Sequence, residues 1–175
     1  MVSNPILVQE ASLSNSMIAL LRAIHIVFGA FWMGGTVTLG FFLLPALRKG
    51  STDGAAIAAR FLAKSWFMTA SLVAGFISVI AGLALYAELW AGTDFTGPAV
   101  WYSVGGHLAE ASIILAVLAI APTTRQLARF AQEQHDEERT LRLERLLNRV
   151  TVVSRVIAAM LAVTITMMAI GRYMG

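Results

Sequence analysis

Four long apolar segments constrain this chain more than any other feature of its sequence. They cover residues 17–46, 63–92, 99–121 and 150–173. A helix needs roughly 20 apolar residues to cross a hydrocarbon layer of about 30 Å, so each segment is long enough to span a membrane. The alternating pattern of barrel strands is absent, and in lipid only helices or closed barrels satisfy the backbone hydrogen bonds. The sequence therefore predicts an all-α integral membrane protein, a four-helix up-down bundle forming a single transmembrane domain over residues 1–175.

The composition supports the lipid bilayer as the main surroundings of the chain. Hydrophobic residues make up 58% of the sequence and charged residues 13%, whereas about a quarter of the residues of a soluble domain are charged. The chain contains no cysteine. Disulfides, iron–sulfur clusters and thiolate metal sites are therefore excluded, and a metal has to bind nitrogen, oxygen or thioether ligands.

Basic residues are concentrated in two segments between the apolar spans, and they predict the orientation. Residues 48–64 and 125–149 contain most of the arginines and lysines, while the segment between spans two and three contains none. By the positive-inside rule both basic segments are cytoplasmic and both termini lie outside, which predicts a multi-pass protein of the plasma (inner) membrane. Residues 122–149 are predicted to form a cytoplasmic helical extension. Since topology explains the positive charge, no nucleic-acid partner is expected.

Ionisable side chains within the spans indicate where chemistry occurs, because they are costly in lipid. The set is Arg22, His25, His107, Glu110 and Arg155. His25 and His107 each lie about eight residues below the outer start of their span, which is roughly 12 Å at 1.5 Å per residue. Spans one and three are diagonal in an up-down bundle, so two imidazoles at one depth can face each other across a cofactor. We interpret them as metal ligands, the axial pair of a haem b iron.

Small and basic neighbours fit a porphyrin at this depth. Gly29 is four residues after His25, and Ser103 and Ala111 flank His107 at the same spacing. Arg22 and Arg172 are expected to pair with the anionic haem propionates, together with Tyr173. Two alternatives stay open: Gly29 serves helix packing alone, and His107 only hydrogen-bonds Glu110.

Two further residue types bear on a redox site. Met167 and Met168 lie near the depth of the histidines and are alternative second axial ligands, because cytochromes also use methionine opposite histidine. Glu110 is the candidate catalytic residue for moving protons, since a carboxylate within lipid binds a proton readily. A di-iron or a zinc site does not fit, because too few ligands are present.

The first span resembles that of small bacterial membrane families. Arg22, His25, Trp32, Gly34, Gly35 and Pro45 match a pattern found in the J-type protoporphyrinogen oxidases, in the membrane domain of copper-resistance protein D and in related four-span proteins. The resemblance covers about thirty residues and implies that His25 is a haem ligand. The chain departs from the J-type pattern in two places. Leu43 and Leu44 stand where a basic residue is expected near the proline of span one, and Ala109 or Glu110 replaces the lysine expected after the histidine of span three.

We therefore predict a haem b (iron) membrane protein acting in electron transfer or a haem-dependent oxidation near the outer face. A quinone or a redox protein is the expected partner, and homo-oligomerisation is compatible with the sequence. The alternatives are a haem-free copper-handling or transport protein and a structural subunit of a membrane complex. Whether the chain is an enzyme, a membrane oxidoreductase, stays open at this point.

Overall fold

A computed structural model describes residues 5–50, 53–90, 95–130 and 137–173, and the secondary structure of this part of the chain is helical throughout. The α-helices are, in order, α1 Pro5–Val37, α2 Leu44–Gly50, α3 Gly54–Lys64, α4 Phe67–Trp90, α5 Pro98–Leu115, α6 Ala121–Phe130 and α7 Glu137–Gly171. Two π-helical segments, π1 Thr38–Leu43 and π2 Ala116–Ile120, join α1 to α2 and α5 to α6.

Four continuous helical stretches are long and apolar enough to cross a membrane: Ser14–Lys49, Phe67–Trp90, Pro98–Phe130 and Glu138–Gly171. Helix α1 packs along α4, and α5 packs along α7. The two hairpins meet through α4 with α5 and α1 with α7, so spans one and three are diagonal. The predicted all-α four-helix membrane bundle is confirmed.

The two ends of the bundle differ in charge. The end formed by α2, α3 and α6 holds Arg48, Lys49, Arg60, Lys64, Arg125 and Arg129, and we call it the basic end. At the other end, which we call the terminal end, α1 begins and α7 finishes beside Trp101. Four antiparallel spans place both ends of the described chain on one side.

The basic segment after span one is more ordered than the sequence analysis predicted. The sequence places residues 48–64 between two spans and gives no prediction of a helix there, but α2 continues to Gly50 and Gly54–Lys64 forms helix α3. Its buried residues Ala58, Ala59 and Leu62 pack with Leu127, Leu143 and Leu147, while Arg60 and Lys64 stay exposed. The segment is too short to span a membrane, but its apolar face is buried on the bundle and stabilises a helix.

The two π segments have the same hydrogen-bond pattern, and a proline follows soon after each of them. The Leu44 N–H donates to the Leu39 carbonyl, and the Ala121 N–H donates to the Ala116 carbonyl, five residues back in each case. The next residue is Pro45 or Pro122, which has no N–H to continue the series. In span one this leaves the Gly40 carbonyl without a helical donor, and Arg155 Nε donates to it at 3.0 Å.

The apolar core occupies the basic end and the centre of the bundle. The central cluster includes Trp32, Ile113, Ile157 and Leu161. Towards the terminal end the buried residues are small or polar apart from Leu85; they are Ser78, Ala81, Leu85, Ala99, Gly105, Thr164 and Gly171. The bundle therefore changes from large apolar packing to small and polar packing near the depth of His25.

Candidate intramembrane histidine site

His25 on α1 is held by span two. Its Nδ1 lies 2.8 Å from the backbone carbonyl oxygen of Ser78. A carbonyl only accepts, so Nδ1 carries the proton and donates it. The Ser78 hydroxyl in turn donates to the His25 carbonyl at 3.1 Å, and it lies 3.4 Å from Nδ1. These contacts fix both the tautomer and the orientation of the ring.

The proton on Nδ1 leaves Nε2 with a lone pair, and Nε2 has no hydrogen-bond partner among the described residues. Metal-binding histidines show this arrangement, because a backbone carbonyl on one ring nitrogen orients the other towards the metal. His25 thus has a ring nitrogen without a hydrogen-bond partner among the described residues, inside the membrane-spanning part of the protein.

Two glycines allow this geometry. A Cβ at Gly82 would lie 2.9 Å from Cε1 and 3.0 Å from Nδ1 of His25, so only glycine lets the ring lie against α4. A Cβ at Gly29 would lie 2.9 Å from the Ser78 hydroxyl oxygen. Gly29 therefore allows the close approach of α1 and α4, as in the alternative that it serves helix packing. Ser78 occupies the space beside it.

A second polar group faces the interior near this depth. Thr164 on α7 is 5% exposed, and its hydroxyl oxygen has no hydrogen-bond partner within the described ranges. Ile157 and Trp32 belong to the same central cluster. Thr164 lies seven residues from Ile157, and His25 lies seven residues from Trp32, so Thr164 and His25 are at a similar depth. This end of the bundle therefore contains an unpaired ring nitrogen on the half-buried His25 and an unpaired hydroxyl on the buried Thr164.

His107 lies at nearly the same depth but in different surroundings. Trp32 and Ile113 both contact Gly75 and mark one level of the bundle. From that level His25 is about 10 Å and His107 about 9 Å towards the terminal end, at 1.5 Å per residue. His107 is exposed, however, and its Nδ1 donates to the Ser103 carbonyl of its own helix at 2.7 Å.

The structure does not bring the two histidines together. The buried side of α5 carries Gly105, Ser112 and Ile113, and His107 projects from the other side of that helix. No hydrogen bond in the described part of the chain joins His107 to Glu110. An axial pair formed across the core of a single bundle would need a different rotation of α5.

The other predicted site residues surround this region loosely. Glu110 is half-buried, whereas Arg22, Arg172 and Tyr173 are exposed. None of the four has a side-chain hydrogen bond or ion pair within the described residues. Met167 and Met168 are both half-buried, and the Met168 side chain packs on Gly105, 3.2 Å from the position of a Cβ there.

Sequence reasoning missed the residues of span two that support His25. Ser78 and Gly82 are four residues apart in a helix that is apolar on all sides. Small residues at this spacing are a general signal of close helix packing in membranes. That signal could have marked the face of α4, but it does not reveal that the packed neighbour is a histidine.

The described residues contain no group of three or more histidine, cysteine, aspartate or glutamate side chains placed to share a metal ion. A metal site built from protein ligands alone needs about three or four of them. A porphyrin supplies four nitrogen ligands itself and takes only one or two from the protein. The described residues around His25 offer one ring nitrogen, which is fewer ligands than a bare ion needs.

Comparison with known proteins gives a family. Residues 19–172 match the model of a family described as predicted integral membrane protein (DUF2269). No curated protein and no solved structure matches the chain. The match covers all four spans and the histidine site. The chain therefore belongs to the DUF2269 family of integral membrane proteins.

Proposed function

We propose that this protein binds haem b within the membrane through His25, and that it transfers electrons or carries out a haem-dependent oxidation near the outer face of the plasma membrane. The observation that carries the proposal is the state of the His25 ring. Nδ1 is fixed on the Ser78 carbonyl at 2.8 Å, and Nε2 is left as a free ligand. Haem iron is commonly bound by such a histidine.

The kinds of residue buried near the depth of His25 support the proposal. The large apolar side chains of the central cluster lie towards the basic end, and apart from Leu85 the buried residues beyond them are small or polar. When bound, haem supplies one-electron chemistry at its iron, while the protein supplies ligands, orientation and exclusion of water.

Several residues have roles in this proposal. Arg22 and Arg172 pair with the propionates, since both are exposed cations towards the terminal end of their spans. Glu110, which is half-buried, is the residue assigned to proton transfer in this proposal. His107 is the second ligand only if it comes from a second copy or if α5 rotates, so Met167 and Met168 stay candidates for that position.

The resemblance of span one to the J-type protoporphyrinogen oxidases agrees with His25 as a ligand, but other matching residues have structural roles here. Trp32 is 3% exposed and packs in the central cluster. Pro45 lies shortly after π1 and explains why the Gly40 carbonyl has no helical donor. The roles of these two residues in this chain do not by themselves favour porphyrinogen oxidation.

Optical spectroscopy tests the proposal directly. The full chain is expressed with a supply of haem precursor and purified in detergent, and a reduced-minus-oxidised spectrum is recorded together with the haem content. We expect a Soret and α band from the natural sequence, and their loss in His25→Ala. His135→Ala is the control for removal of a histidine; it lies outside the described residues, in the charged segment before α7.

The second ligand is identified with the same measurement. A changed α band in His107→Ala assigns that histidine, and a change in Met167→Leu or Met168→Leu assigns a methionine. A protein without visible absorbance after expression with ample haem contradicts the proposal. Stoichiometric copper in that protein, lost in His25→Ala, would favour the copper-handling alternative instead.

A further inference from the structure

A second polar region lies in the centre of the bundle, separate from the histidine site. A cavity of about 20 Å³ lies where the four spans meet. Span one contributes Thr36 and Leu39, span two Ser71, span three Ala116 and Ile120, and span four Ser154 and Ile157. Leu39 belongs to π1, and Ala116 and Ile120 belong to π2.

Three of the residues that line this cavity carry hydroxyl groups. Ser154 is 0% exposed, and its Oγ has no hydrogen-bond partner within the described chain. Ser71 and Thr36 are 8% and 6% exposed. The Thr36 hydroxyl donates to the Trp32 carbonyl at 2.8 Å, which leaves its oxygen able to accept.

From this cavity we infer a binding site for one ordered water molecule, which bridges the Ser154 hydroxyl to those of Ser71 and Thr36. A cavity needs roughly 10–15 Å³ to hold a water, and the water needs two to four polar partners. The volume condition is met here, and three residues with hydroxyl groups lie around the cavity. An unpaired hydroxyl in a buried site is costly, and the bridging water removes that cost.

The water joins spans one, two and four beside both π segments. Helix association in membranes lacks the hydrophobic driving force of soluble proteins, so polar contacts between helices contribute more of the specificity. The site therefore fixes the relative positions of three spans in the centre of the bundle. It does not depend on haem binding.

Thermal unfolding of the purified protein in detergent, followed by circular dichroism, tests the inference. Ser154→Ala removes one partner of the water and should lower Tm by about 3 °C. The double variant Ser154→Ala, Ser71→Ala should lose little more than either single variant, because both serines bind one water. Ser112→Ala is the matched control: Ser112 is also 0% exposed, but its hydroxyl donates to Leu108 of its own helix at 2.8 Å.

Three results would overturn the inference. If Ser154→Ala leaves Tm unchanged or raises it, the hydroxyl is unpaired and its removal relieves a cost. Additive losses in the double variant would show that the serines do not share a water. A Tm that falls when sodium chloride is replaced by choline chloride, and no longer does so in Ser154→Ala, would assign the site to a sodium ion.

Discussion

Small residues have different roles at different positions of the same bundle. Gly82 and Gly29 are required for contacts with His25 and Ser78, since a Cβ at either would approach a side-chain atom to 2.9 Å. Gly34 and Gly106 have nothing within 4 Å of a Cβ. The glycines of the first group position the candidate ligand, and those of the second do not.

The Gly82→Ala variant is predicted to displace the His25 ring. The new methyl group would lie 2.9 Å from Cε1, so the imidazole has to move off the Ser78 carbonyl or α4 has to separate from α1. We expect a lower Tm and, if His25 binds haem, a lower haem content per protein in the purified sample.

Gly106→Ala is the matched control for this change. It adds the same methyl group to a helix of the same bundle, where no atom lies within 4 Å. We expect its Tm to equal that of the natural sequence or to rise slightly, since alanine favours helix more than glycine does. Equal losses in both variants would show that glycine itself, and not the His25 contact, matters at position 82.

Among the helices, π1 and Pro45 leave one backbone carbonyl of span one without a helical donor, and a side chain of span four donates to it. The Gly40 carbonyl loses its helical donor, and Arg155 Nε bonds to it from α7. The guanidinium also lies over the Phe41 ring, 5.3 Å from its centroid. Gly40 permits the approach, because a Cβ there would lie 3.1 Å from Ser154 Cβ and 3.2 Å from Arg155 N. An intramembrane arginine thus serves the contact between two helices.

The Arg155→Met variant is predicted to lower Tm by about 4–8 °C, the value expected for loss of a hydrogen bond from a charged donor. Methionine keeps the length and apolar character of the side chain but donates no hydrogen bond. The arginine lies in the detergent or lipid phase whether or not the helices are packed, so its own insertion cost largely cancels. Thermal unfolding followed by circular dichroism measures the change.

Two further variants distinguish this contact from a general effect of charge. Arg155→Lys keeps a cationic donor and should retain part of the stability. Arg149→Met removes an exposed arginine of the same helix that makes no hydrogen bond within the described residues, and it should change Tm little. A loss in Arg149→Met as large as in Arg155→Met would contradict the assigned role of the Gly40 contact.

Over the whole molecule, the two ends of the bundle differ in charge. The basic end carries exposed Arg60, Lys64, Arg125 and Arg129, with Arg48 paired to Glu144. At the terminal end Glu88 and Arg172 are exposed. Basic segments close to the spans are retained on the cytoplasmic side, so the proposed orientation places the histidine site nearer the outer surface.

Reporter fusions test this orientation. Alkaline phosphatase fused after Trp90 or Tyr173 should be active, because it folds only outside the cytoplasm. The same reporter fused after Gly50 or Phe130 should be inactive, and green fluorescent protein at those two positions should fluoresce. Activity of alkaline phosphatase after Gly50 and Phe130 would reverse the orientation and move the histidine site towards the cytoplasm.

The fold and the site differ in how far they could be predicted. Span length, hydropathy and the diagonal relation of spans one and three follow from the order of apolar residues along the chain. The depth of His25 and His107 also follows from counting residues at a fixed rise per residue. Their rotation about the helix axes does not, because a span that is apolar on every side carries little periodic signal of which face is buried.

By itself, the sequence determined that this chain crosses a membrane four times and that two histidines lie at one depth, because both depend only on position along the chain. Tertiary structure decided that His25 is held by Ser78 and Gly82, that His107 projects away from the buried face of its helix, and that Arg155 bonds to the Gly40 carbonyl. These outcomes depend on helix rotation and on contacts between residues that are far apart in the sequence, with separations of 53 and 115 positions. Packing of small residues fixes that rotation, and the hydropathy of the spans does not predict it.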